Sequence, residues 1–188
     1  MNTKIYFHRA LASFSVARTA EAIAGYTKAL RLNPRYQLAF SRRAAAEVAQ
    51  EHYLAAVADA SEAVKINSED DFAYATSTRA AARYFMKHYS GSVSHFTEAL
   101  RINPHDATRY VARAWAYAGL LQTGAALSDA DRAIQLAPDN PSAHELRAYI
   151  NQQLGRIDQA IADLRAPLRA DPSREAIRET LLKLGVAP

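Results

Sequence analysis

Three sets of residues in this 188-residue chain have side chains able to do chemistry: six histidines, five arginines at near-regular intervals, and the serine-rich segment SGSVSH at Ser90–His95. Paired histidines on one helix face, as in HExxH, would hold a metal and a catalytic water, and no such pair occurs. His52 and His88 fall at equivalent turns, but packed helices stand about 8–10 Å apart, too far for one ion bound about 2 Å from each nitrogen. SGSVSH lacks the G-x-S-x-G elbow and no strand precedes it, so it reads as the polar start of a helix. The six glycines are scattered and form no phosphate loop, and the absence of cysteine closes off thiolate chemistry and disulfides. The expectation is a chain that is not an enzyme and that carries no metal and no cofactor.

The arginines carry more information. Arg43, Arg113 and Arg147 each precede an aspartate by sixteen residues, Asp59, Asp129 and Asp163. On two helices joined by a turn, that spacing sets cation against anion, so an Arg–Asp bridge inside each hairpin is expected. Gly25 and His95 stand at the aspartate place after Arg9 and Arg79. That breaks any continuous charge ladder and leaves anion binding at Arg9 or Arg79 as the functional alternative.

The elements that would position these residues follow from a repeated phrase. YTKALRLNPRY at 26–36 returns as FTEALRINPHD at 96–106, with weaker copies from Ala60, Ala130 and Leu164. Aligned on their Asn-Pro ends, Pro34, Ser68, Pro104, Pro138 and Pro172 are spaced by 34, 36, 34 and 34 residues. An Arg-Ala pair at Arg9, Arg43, Arg79, Arg113 and Arg147 fixes the same register independently. Ala22, Tyr26, Ala29 and Leu30 lie at i, i+4, i+7 and i+8, the stripe of an amphipathic helix. Later copies repeat the stripe, and the proline after it cannot continue a helix because it has no N–H and clashes with the preceding turn. Each unit therefore reads as two helices that approach through alanine.

Composition sets the remaining bounds. With 49% hydrophobic and 22% charged residues the chain is expected to fold. It has no run long enough to span a membrane and no secretory leader pattern, which makes a cytoplasmic location the expectation. The net charge of +4 is unevenly spread: residues 1–36 sum to +5 and 37–72 to −4. An acidic second segment interrupts any basic stripe, which argues against a nucleic-acid groove.

The period, the paired helices, the fixed alanines and the terminal prolines resemble the tetratricopeptide repeat family. The resemblance implies an all-α, right-handed α-solenoid forming one repeat domain over residues 1–188, with units at about 3–36, 37–70, 73–106, 107–140 and 141–174. A cap helix at about 175–185 follows, with Ile177, Leu181 and Leu184 as its apolar stripe. Two departures stand out. Ser68 replaces proline beside two extra residues near Asp70-Asp71, which predicts an irregular junction, and Pro167 in the fifth unit predicts a helix that kinks or ends at Ala166.

The resemblance also implies that first helices line a concave groove. The matching positions are Phe7, Leu11, Phe14, Leu38 and Val48 in the first two units, Tyr74, Tyr84 and Phe85 in the third, and Val111, Trp115 and Tyr149 in the last two. About half of them are expected to be exposed. The family's carboxylate clamp for chaperone tails would fall on Phe7, Leu11, Arg42, Tyr74 and Thr78, of which only Arg42 is suitable, so that ligand is disfavoured. The function implied is a non-catalytic scaffold holding a peptide or helix of a partner protein against this aromatic surface and Arg42. The rival is a homo-oligomer in which the basic first unit of one chain meets the acidic second unit of another.

Overall fold

The computed structural model describes residues 3–66 and 69–187. Within them lie eleven α-helices and no strand. They run α1 (Thr3–Ser15), α2 (Thr19–Leu32), α3 (Gln37–Ala49), α4 (Tyr53–Ile66), α5 (Glu69–Phe85) and α6 (Tyr89–Ile102), then α7 (Ala107–Gly119), α8 (Thr123–Leu136), α9 (Pro141–Gln153), α10 (Ile157–Ala170) and α11 (Glu175–Lys183). They group into two compact units, Met1–Asn103 and Pro104–Pro188. The first holds the hairpins α1–α2, α3–α4 and α5–α6, and the second holds α7–α8, α9–α10 and α11.

The turn inside each hairpin has one construction. Ala17, Glu51, Lys87, Leu121 and Gly155, one per hairpin, all take a left-handed backbone with φ of 60°, 61°, 60°, 58° and 70°. That conformation lets the next amide reach back past the helix end, as when His52 N–H donates to Glu47 O at 2.9 Å and Gln122 N–H to Tyr117 O at 2.9 Å. Only the fifth hairpin uses glycine there, the residue free of the Cβ penalty. Between hairpins the Asn-Pro phrase closes differently. The Asn33 side chain accepts a hydrogen bond from Arg35 N–H at 3.1 Å, and Asp171 accepts one from Ser173 N–H at 3.0 Å. The following helix is then started by a cap, such as Asn140 accepting from Ser142 N–H or Asp106 from Arg109 N–H.

Alanine sets the helix spacing. The alanines of the Arg-Ala marker, Ala10, Ala44, Ala80, Ala114 and Ala148, are all buried, as are Ala22, Ala56, Ala126 and Ala160 on the second helices. Larger side chains fill the gaps where the repeat allows them: Tyr26, Phe96 and Leu164 are buried at the place that Ala60 and Ala130 take elsewhere. In the second unit α11 buries Ile177 and Leu181 against Ala148, Ala160 and Leu164, with Leu184 partly buried beside them. This covers the apolar face of the α9–α10 hairpin.

One sequence expectation is corrected in part. The helix carrying Pro167 does not end at Ala166: α10 continues to Ala170, and Asp171 N–H bonds to Pro167 O at 3.0 Å. Pro167 is buried at the place of Ala29, Ala63, Ala99 and Ala133, and the helix continues past the ring despite the lost N–H. The extra residues near Asp70-Asp71, where the sequence predicts an irregular junction, fall within α5. They lengthen α5 to 17 residues, against 13 for α1, α3, α7 and α9. Ser68, the substituted proline, lies outside the described residues. Among the described residues no helix is long and apolar enough to cross a membrane.

Candidate recognition surfaces and the repeat family

The three expected bridges form. Arg43 reaches Asp59 with Nε at 2.5 Å and Nη2 at 2.7 Å, and Arg113 reaches Asp129 at 2.7 and 2.8 Å, both as two-pronged pairs. Arg147 Nη2 donates to Asp163 Oδ1 at 2.5 Å. The carboxylate bonds raise all three guanidinium pKa values against the opposing effect of burial. A second partner comes from the preceding hairpin: Arg43 Nη1 donates to Thr27 Oγ1 at 3.0 Å, and Arg147 Nη1 to Asp131 Oδ1 at 2.7 Å. These arginines therefore join helix to helix within a hairpin and hairpin to hairpin. Arg147 also floors a 330 Å³ hollow whose rim includes Asn151, Arg156 and Gln159.

The two units lacking the aspartate solve the problem differently. In the third hairpin Arg79 Nη2 donates to His95 Nδ1 at 3.2 Å, with Glu98 at 3.6 Å from the same nitrogen. A guanidinium only donates, so Nδ1 must be the acceptor and the imidazole neutral. Burial, then Arg79 and Arg83, push the His95 pKa down to about 4. In the first hairpin no described residue replaces the aspartate. A Cβ on Gly25 would stand 2.7 Å from Ala10 Cβ, so α1 and α2 approach too closely there for a longer side chain.

A further cluster joins the second and third hairpins. Arg42 lies over the Tyr74 ring, 3.8 Å from its centroid, with Nη2 3.5 Å from the buried Asp71 carboxylate. Burial raises the Asp71 pKa, while a hydrogen bond from Ser41 and the Arg42 charge oppose it. Other acidic residues of this stretch are also engaged: Glu47 with His52 at 2.7 Å, Asp59 with Arg43, and Glu62 with Lys65 at 2.6 Å. Among the described residues no three His, Asp or Glu side chains converge as metal ligands would.

The structure separates the groove candidates into core and surface. Phe7 and Val111 are buried, Phe7 against Tyr26 and Tyr36 and Val111 among Ala114, Ala130 and Leu146. They are core side chains, although the family resemblance matches them to a groove. Phe14, Arg42, Val48, Tyr74, Tyr84 and Trp115 are partly buried, while Leu11, Leu38, Phe85 and Tyr149 are exposed. In the first unit Phe85 stacks on Tyr53, with ring centroids 5.3 Å apart, and Tyr84 contacts Phe85 and Tyr89. In the second unit the Trp115 and Tyr149 rings meet at 5.2 Å, on α7 and α9 at equivalent places one repeat apart. Tyr149 is 43% exposed.

The family description "Tetratricopeptide repeat" matches residues 3–36 and 141–174, the hairpins α1–α2 and α9–α10 in the register fixed by the Arg-Ala pairs. The chain carries tetratricopeptide repeats. Proteins of this family are generally protein–protein interaction scaffolds. Over 70 residues the chain is 37% identical to the DnaJ homolog subfamily C member 7 homolog of Dictyostelium discoideum, an overlap covering 37% of this chain and 13% of that protein. Among solved structures the fold is similar to PilW, a widely conserved type IV pilus biogenesis factor (TM-score 0.86, 18% identity, 97% of this chain and 86% of that one). It is also similar to TTC0263, a thermophilic repeat protein of Thermus thermophilus (0.81, 18%, 98% and 100%). A third is YrrB, described as having an unusual peptide-binding site (0.70, 17%, 93% and 89%).

Sequence reasoning missed the Arg42–Asp71–Tyr74 cluster. Its members come from different hairpins, and Asp71 is brought in by the extra length of α5. His95 had a signal, its standing at the aspartate place of the repeat, but its role as the replacement acceptor emerges only from the 3.2 Å contact.

Proposed function

We propose that this repeat protein is a non-catalytic scaffold that holds a peptide or helical segment of another protein against the surface of α7 and α9. The observation that carries this is the Trp115–Tyr149 ring pair, whose tyrosine is 43% exposed. Aromatic side chains that are rigid, amphipathic and open on one side are the usual anchors of an interface, each costing about 2 kcal/mol or more when truncated at a hot spot. YrrB, which shares the fold, has a peptide-binding site. Arg42 and Tyr74 occupy each other, which favours a supporting role in the first unit over free anchoring.

The test is parallel capture from the cell of origin with the wild-type chain, Tyr149→Ala and Trp115→Ala, each checked for folding by circular dichroism. Loss of the same partner in both folded variants supports the α7–α9 surface. Unchanged capture by both removes it and moves recognition to another face. The charge-driven homo-oligomer has less support, because Glu47, Asp59, Glu62 and Asp71 are drawn into internal pairs.

A further inference from the structure

The repeat makes Arg9 anomalous. In the second and fifth hairpins the equivalent arginine satisfies two acceptors, an aspartate on its own second helix and Thr27 or Asp131 on the preceding hairpin. In the fourth it takes the aspartate, and in the third a histidine. Arg9 has neither: Gly25 stands at the aspartate place, and among the described residues no hydrogen bond or ion pair forms at its guanidinium. It lies exposed beside a hollow of 240 Å³ bounded by Tyr6, Arg9, Ser13, Glu21, Gly25 and Lys28. Lys28 stands on the same wall, its ammonium 6.0 Å from the Tyr6 ring centroid. The one acid, Glu21, faces Arg18 at 3.9 Å.

We propose that Arg9 and Lys28 form a carboxylate-binding pocket for an acidic group of a bound polypeptide, which takes the place that an aspartate of the chain itself fills in the second, fourth and fifth hairpins. The chemistry is the two-pronged guanidinium–carboxylate pair already built three times in this molecule. Carboxylate fits better than phosphate because the repeat builds this arginine toward a planar two-oxygen acceptor, with one ammonium alongside. The +5 charge of residues 1–36 would also draw an acidic segment toward it. The pocket shares no residue with the Trp115–Tyr149 surface, so either site can fail alone.

The test follows the Arg9 Nε–H resonance by NMR while the full chain is titrated with defined probes. N-acetyl-glutamate α-amide carries only a side-chain carboxylate, N-acetyl-glutamine only a terminal one, and N-acetyl-glutamine amide neither; inorganic phosphate is the fourth probe. Saturation by the first assigns the pocket to acidic side chains, and saturation by the second to a chain terminus. Either result supports the proposal when the shift is several-fold larger than at the exposed Arg31 and Arg35 and the neutral amide has no effect. In Arg9→Gln, which touches no core residue, the accompanying backbone shifts at Ser13 and Lys28 should vanish. Shifts no larger at Arg9 than at Arg35, or equal response to phosphate, would overturn it.

Discussion

Replacing His95 with aspartate should strengthen the third hairpin and abolish an acid sensitivity that the wild-type chain carries there. His95 accepts from Arg79 through Nδ1, with Arg83 adding positive charge and Glu98 near Arg79, and its pKa falls from 6.5 to about 4. The folded state therefore binds the His95 proton less readily than the unfolded chain. The stability this neutral acceptor contributes is whole above pH 6.5 and is lost progressively as pH falls toward 4. For a fully shielded group that interval would be worth about 3 kcal/mol. His95 is only half-buried and solvent screens the arginines, so about 1–2 kcal/mol is expected. Aspartate at this place would give Arg79 the two-pronged bond found in the other hairpins, a gain of about 1–2 kcal/mol at neutral pH. Its contribution would be lost only as the carboxylate titrates. His95→Gln keeps a neutral acceptor without the titration. The assay is native-state hydrogen exchange at the α6 amides between pH 7.5 and 4.5, corrected for intrinsic rates, with the His95 ring followed by NMR. Wild type should lose protection across this range relative to both variants. A His95 ring that titrates near 6.5, or identical pH dependence in all three proteins, would refute the reasoning.

Other expectations follow from the same bookkeeping of partners and strain. Asp129→Ala should cost about 3 kcal/mol by leaving the half-buried Arg113 cation without its carboxylate, while Arg113→Met with Asp129→Leu should cost clearly less, measured by urea denaturation; additive losses would contradict the pairing. Leu121→Gly should stabilise by up to about 1 kcal/mol, because Leu121 is 87% exposed and holds φ at 58°, where a Cβ is penalised. Pro167→Ala should gain about 1 kcal/mol, since restoring one helical N–H outweighs two lost ring carbons; a net loss would mean that the buried ring contributes more than the bond. Light scattering should give the same mass at low and high salt, and a salt-sensitive rise would revive charge-driven self-association.

How much of this was legible in the sequence depended on how local each feature is. The hairpins, the buried marker alanines and the Arg–Asp pairs were legible because the repeat states them several times and each lies within one hairpin. Of the two outcomes expected at Pro167, the helix end does not occur, because a packed site holds the ring inside α10. Which groove candidates lie in the core, as Phe7 and Val111 do, was not legible, because helical spacing marks an apolar residue without saying which neighbour it faces. The Arg42–Asp71 contact had no sequence signal, since it depends on how far α5 extends toward α3.

The most direct test of partner recognition places a photo-crosslinking phenylalanine analogue at Tyr149, a near-isosteric change at an exposed ring, and another at Leu54, exposed on α4 in the other compact unit. After irradiation in the cell of origin, position 149 should join one discrete polypeptide that position 54 does not, and Trp115→Ala in the same chain should reduce that product severalfold. Equal or absent crosslinking at the two positions, from chains shown to be folded, would contradict recognition by the α7–α9 surface.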